Sequence, residues 1–292
     1  MTQARLTPTA KPRIAIMGEF SAGKSTLCNL LLRARPLPEK VTATRLPPIW
    51  MSQAPGENHG VTLDDDSYPV DINALDEIPF DKTRHVRLFF DADILDHCDF
   101  IDFPGISDPN MDAEVWERVL VEADAVLWLT HATQAWRQSE AAVWDTVPEE
   151  VQEKSVLLIT RYDKLVTEQD KTRVLARVKK ETDGLFEKVF PISLTDALDG
   201  FEDYDLWQSS GAADFTDHLV EMIAALGNSR EKSVENQSGD ESDAIQADPV
   251  VVRSVGPRAP GEEQERQPLR VIPRRVRPQG MMRRGRPGAI SA

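Results

Sequence analysis

The run Gly18-Glu19-Phe20-Ser21-Ala22-Gly23-Lys24-Ser25 constrains this 292-residue chain more than any other stretch of it. It sets a glycine, four residues, then Gly-Lys-Ser, between two flanks of different character. The apolar Ile14-Ala15-Ile16-Met17 before it predicts a buried strand, and Thr26-Leu27-Cys28-Asn29-Leu30-Leu31-Leu32 after it predicts the start of a helix. Strand, loop and helix in that order make a phosphate-binding loop rather than a chance glycine-rich turn. Gly18 and Gly23 let the backbone turn tightly, so that the N–H groups from Glu19, Phe20, Ser21 and Ala22 on to Thr26 face phosphate oxygens, and the helix N-terminus adds partial positive charge. In such a loop Lys24 reaches the β- and γ-phosphates of a nucleotide, and Ser25 puts its hydroxyl on Mg²⁺. The predicted fold is α/β, a P-loop NTPase domain with a mostly parallel sheet, helices on both faces and the loop at the end of the first strand.

The base follows from a second strand. Val156-Leu157-Leu158-Ile159 delivers Thr160-Arg161-Tyr162-Asp163-Lys164 at its C-terminal end, where ligands sit in open α/β sheets. A carboxylate at Asp163 accepts from both guanine N1–H and the exocyclic amine, a donor pair that adenine lacks. Arg161 would cover the base with its planar, aliphatic-stemmed side chain. A helix-capping aspartate after a strand is the plainer reading, and the P-loop upstream argues against it. Between the two motifs lies Asp102-Phe103-Pro104-Gly105. Alone it is an ordinary turn; in this order it reads as a GTPase switch, with Asp102 holding a Mg²⁺-bound water and the Gly105 N–H sensing the γ-phosphate. Phe190-Pro191-Ile192-Ser193 is a further short strand, and its position makes a backbone N–H of the Ser193 loop a candidate contact for the guanine O6. The ligand set is therefore GTP or GDP with Mg²⁺.

Taken together, these residues resemble the G domain of the dynamin superfamily, in its bacterial dynamin-like branch. The resemblance rests on the Gly-Glu-Phe-Ser-Ala-Gly-Lys-Ser-Thr loop, Leu37-Pro38 leading to Val41-Thr42-Ala43-Thr44, the Asp102-Phe103-Pro104-Gly105 switch, and Gln134 to Glu140 after the strand Ala125-Val126-Leu127-Trp128-Leu129. It covers roughly residues 12–228. It implies that Thr42, with Thr44 as its rival, is the switch I threonine completing Mg²⁺ coordination and positioning the lytic water. It implies further that Ser21 helps bind a monovalent cation, K⁺ or Na⁺, when two G domains meet across the nucleotide. Lys24, Ser21 and Thr42 are then the catalytic set. Phe20 stands where eukaryotic dynamins carry a glutamine, and Ile106 where Ras-like GTPases carry a water-orienting one. Turnover is expected to depend on a homodimer through the G domain, or on a second dynamin-like protein. A regulatory switch whose output is partner binding and a scaffold with little turnover are the alternatives.

Composition sets the remaining expectations. The chain is acidic, with a formal net charge of −15, which speaks against nonspecific nucleic-acid binding by the domain. Cys28 and Cys98 have no ligand or disulfide spacing, and the histidines form no metal or triad pattern. No apolar run approaches a membrane span, and there is no signal-peptide core, so the expected location is cytoplasmic. Three segments are expected: a flexible 1–11, a G domain over 12–228, and a disordered tail over 229–292. Within the domain, 51–84 reads as an acidic, solvated insertion after switch I with at most a weak hairpin pattern. Phe215 to Leu226 reads as a last amphipathic helix. The tail ends in Arg270, Arg274, Arg275, Arg277, Arg283, Arg284 and Arg286 with no acid among them, a charge pattern suited to an anionic membrane at the inner face or to an acidic partner. No sequence remains for the long helical bundles with which dynamins remodel membranes, so fission by this chain alone is not expected.

Overall fold

The computed structural model describes residues 11–33, 46–106 and 118–237, with side chains as far as Arg230. Thr42, Thr44, the Leu37-Pro38 run and the Arg-rich run of 270–286 lie outside the described residues. Nine strands of the described residues form one sheet. In chain order they are β1 (Arg13–Gly18), β2 (Ile49–Gln53), β3 (His59–Thr62), β4 (Ser67–Pro69), β5 (Thr83–Phe90), β6 (Asp99–Asp102), β7 (Ala125–His131), β8 (Val156–Thr160) and β9 (Lys188–Pro191). Across the sheet they run β4-β3-β5-β2-β6-β1-β7-β8-β9. From β6 to β9 every pairing is parallel, as is β2 with β5. The pairings β2 with β6, β3 with β5 and β3 with β4 are antiparallel. The mostly parallel sheet is as expected, with a mixed half beyond β6.

The central strands are continuous apolar runs because both of their faces are covered. Alternation along β1 shows this directly. Ile14 and Ile16 join Leu27, Leu30 and Leu31 of α1 (Lys24–Leu32) and, from α7 (Ala212–Gln237), Phe215, Leu219 and Ile223. Ala15 and Met17 point the other way, into a second core with Trp144 of α2 (Gln138–Trp144), Val151 of α3 (Glu149–Gln152) and Val178 of α4 (Glu168–Glu181). Two short helices, α5 (Leu194–Asp199) and α6 (Tyr204–Ser209), complete the first layer. Since β1 lies between β6 and β7, the chain leaves it toward opposite sides, and a crevice opens at its C-terminal end.

Two expectations change. The 51–84 stretch is not a solvated loop: Met51 is fully buried in β2, between β5 and β6, and β3 and β4 form a hairpin that extends the sheet. The acidic Asp64-Asp65-Asp66 is the exposed turn of that hairpin, with the Asp65 N–H donating to the Thr62 carbonyl and Asp65 itself at φ 65°. The last helix starts before Phe215 and runs on to Gln237, so 229–237 is helical rather than disordered. Its N-terminal part is the predicted amphipathic stripe, Phe215, Leu219, Met222, Ile223 and Leu226, all buried. Cys28 and Cys98 are both buried and free, and among the described residues no His, Cys, Asp or Glu group is arranged to hold a metal. No described helix is long and apolar enough to cross a membrane.

Candidate nucleotide-binding site

The loop after β1 is built from unusual backbone conformations. Gly18 has φ 144° and Gly23 φ 101°, and Ser21 between them takes the left-handed φ of 60°. A Cβ on Gly18 would lie 2.2 Å from the Leu129 carbonyl oxygen of β7, so the strand-to-loop corner admits nothing larger. Gly23 opens α1, and Lys24 is its first residue. The Lys24 ammonium turns back into the loop and donates to the Gly18 carbonyl at 3.0 Å and the Glu19 carbonyl at 2.9 Å. Burial lowers its pKa, with Asp102 and then Glu19 among the groups opposing that shift.

Asp102 ends β6 beside this lysine. Burial raises its pKa from 3.8 to about 6 against the pull of Lys24, and its Oδ1 is buried with no hydrogen-bond partner among the described residues. An orphaned carboxylate oxygen at a strand end beside the loop lysine fits a hydrated divalent cation, which would supply the missing donor through its water. Ser25, the candidate second holder of such an ion, lies on the first turn of α1. Gly105 closes on the loop from the switch side, since a Cβ there would lie 2.8 Å from the Phe20 nitrogen. Ile106 follows and donates its N–H to the Gly18 carbonyl at 3.2 Å.

The end of β8 meets the same loop. The buried Thr160 hydroxyl donates to the Ala22 carbonyl at 2.7 Å, and Arg161, in the left-handed conformation, donates from Nη2 to the Ser21 carbonyl at 2.7 Å. Asp163 follows, its carboxylate 2.8 Å from Lys164 Nζ. Burial pushes the Asp163 pKa up, but hydrogen bonds from Lys164 and Ser193 outweigh it and hold the carboxyl below its ordinary range. An ionised acceptor is what a guanine edge requires. The Ser193 N–H is not offered to a base as expected, because it donates to the Ser210 carbonyl at 2.8 Å; it is the Ser193 hydroxyl that bonds Asp163. Glu19, Phe20, Ser21, Ala22, Gly23, Lys24, Ser25 and Thr26, Asp102 and Gly105, Thr160 to Lys164 and Ser193 thus gather at one end of the sheet.

Sequence reasoning did not assign roles to three further residues. The Glu19 carboxylate accepts from Arg137 Nη1 at 3.0 Å and from Ser139 Oγ at 2.9 Å. Buried Glu140 accepts from Trp128 Nε1 at 3.1 Å, the Thr130 hydroxyl at 2.9 Å and the Arg137 N–H at 2.9 Å. All three lie in the segment after β7, within or beside the Gln134 to Glu140 span on which the family resemblance partly rested. His131 marks the local potential: burial, then the Arg161 and Arg137 guanidiniums, lower its pKa.

Comparison with known proteins agrees with this arrangement. The profile of the Dynamin family matches residues 14–162, about half of the chain, from within β1 as far as Tyr162, one residue short of Asp163. The chain belongs to the dynamin family. It is 27% identical over 194 residues to Dynamin-like protein 2 of Campylobacter jejuni subsp. jejuni serotype O:23/36 (strain 81-176), an alignment that takes in 64% of this chain and 31% of that protein. The dynamin-family chain therefore spans under a third of the length of the curated relative it matches. Its fold is similar to two solved structures of an oligomerised bacterial dynamin pair, described as sensing and tethering membranes over long range. One has a TM-score of 0.57 at 18% identity, over 79% of this chain and 41% of that one. The other has a TM-score of 0.55 at 20% identity, over 78% of this chain and 37% of that one.

Proposed function

We propose that this chain binds GTP with Mg²⁺ and hydrolyses it to GDP and phosphate, slowly alone and faster when a second G domain closes over the nucleotide. The junction between Thr160-Arg161 and the Ser21 and Ala22 carbonyls carries the reading, because it ties the strand end that leads to Asp163 directly to the phosphate loop. Mg²⁺ held by Ser25, by Asp102 through water and by Thr42 would neutralise charge on the phosphates; Lys24 would bind their β- and γ-oxygens. Phe20 and Ile106 offer no polar group to the attacking water, so the proposed activator is a second copy or a second dynamin-like protein, with a K⁺ or Na⁺ ion beside Ser21. The oligomerised pairs among the solved relatives support an assembly of that kind.

The test is GTP hydrolysis against protein concentration in K⁺, Na⁺ or neither, with Lys24→Ala as the blank. Specific activity that rises with concentration and depends on the cation supports the proposal. A flat, low rate with intact GTP binding removes self-activation and favours a switch read by a different partner.

A further inference from the structure

Glu19 places a carboxylate in a loop built to receive phosphate. An acid there repels the incoming ligand unless it is paired. Arg137 supplies the pairing from outside the loop, at 3.0 Å, and Ser139 fixes the second carboxylate oxygen at 2.9 Å. The Glu19 side chain is only 11% exposed, so the carboxylate is held in one place.

The segment that delivers Arg137 is pinned at three successive residues. The Ala135 carbonyl accepts from Arg177 Nη2 at 2.9 Å, the Trp136 N–H donates to the Thr130 hydroxyl at 2.9 Å, and the Arg137 N–H donates to Glu140 at 2.9 Å. Trp136 sits at φ 57°, a conformation costly for a bulky side chain. Such strain persists only where the surroundings impose it, and it concentrates at ligand clamps. What the strain aims is a guanidinium that is 43% exposed and makes its one side-chain hydrogen bond among the described residues through Nη1. Its remaining N–H groups are a planar fork of the shape that phosphate oxygens accept. The carbonyl of the same Glu19 accepts from Lys24 at 2.9 Å, so ammonium and guanidinium are gathered on a single residue of the loop.

We propose that Arg137 is a phosphate-binding residue acting within its own chain: anchored by Glu19 and Ser139, it pairs with the terminal phosphate of bound GTP and separates the triphosphate from the diphosphate. The inference rests on the GTP-binding reading above. It also assigns a cation to a site whose Phe20 and Ile106 supply no polar group.

The experiment measures affinities of the full-length chain for GDP and for GTPγS, both with Mg²⁺, in the wild type, Arg137→Gln and Arg137→Lys. Loss of one charged contact to the terminal phosphate weakens GTPγS about tenfold in Arg137→Gln and leaves GDP within about twofold. Arg137→Lys keeps the charge without the fork and is expected to lose about threefold for GTPγS alone, which keeps the test open should the glutamine variant fold poorly. Equal losses for both nucleotides assign Arg137 a structural role and overturn the inference, as does an unchanged ratio in either variant. A wild type that binds neither nucleotide overturns the GTP reading and this inference with it; one that binds both, with variants of unchanged ratio, overturns only this inference.

Discussion

Lys24 is half-buried and already holds two carbonyls of its own loop at 3.0 and 2.9 Å, so on the proposed reading an arriving phosphate takes over an ammonium that is already positioned. On the proposed reading base selection falls to Asp163, whose carboxyl Lys164 and Ser193 hold below its ordinary range. Asp163→Ala is expected to cut the preference for GTP over ATP on the order of a hundredfold, since the guanine donors are then left unpaired, and a competition assay with the two nucleotides reads this directly. These residues were legible in the sequence because each motif is local: a few neighbours fix the backbone that gives each side chain its role. Arg137 and Ser139 were not, because their partner Glu19 lies 118 and 120 residues away and only the sheet brings them together. The same distance effect hid the second role of Thr160, whose hydroxyl braces a carbonyl 138 residues upstream.

Among the elements, the turn from β7 to α2 hangs on one buried carboxylate. Glu140 takes donors from β7 and from the turn itself. Glu140→Ala strands three of them and is expected to cost about 3 kcal/mol, seen as a lower urea midpoint. The β2–β5 region carries a different liability. Burial, then the Arg84 and Arg87 cations, lower the His85 pKa from 6.5 to about 4. Between those two values the unfolded chain binds a proton that the folded chain refuses, so stability is intact above 6.5 and is lost as pH falls toward 4. The loss is up to about 3 kcal/mol, and His85→Gln should flatten the fall in melting temperature between about pH 7 and about pH 5. A β2–β5 slope unchanged by that substitution would exclude His85 as its source. This half of the sheet was also the least legible in the sequence. Strands β3 and β4 span only four and three residues, and Asp64-Asp65-Asp66 between them masks the alternation that a longer hairpin would show. The central strands were plain because burial on two faces demands unbroken apolar runs.

Over the whole molecule, charge is divided along the chain: a formal net charge of −15 overall, with seven arginines and no acid between Arg270 and Arg286. Full-length protein is expected to sediment with phosphatidylserine vesicles at low ionic strength and to be released by salt, at about 1 kcal/mol per arginine near the surface. Binding that survives high salt, or that neutral vesicles match, would assign the attraction to something other than these charges. A last consequence comes from the two bonds that tie the end of β8 to the Ser21 and Ala22 carbonyls. On the proposed reading they make base reading and phosphate grip one mechanical part. A variant selected for a new base will arrive with an altered hold on the phosphates, and one selected for slower release will drift in base preference. Nucleotide choice and residence time are then expected to be inherited together, and a library that varies either alone to sample both.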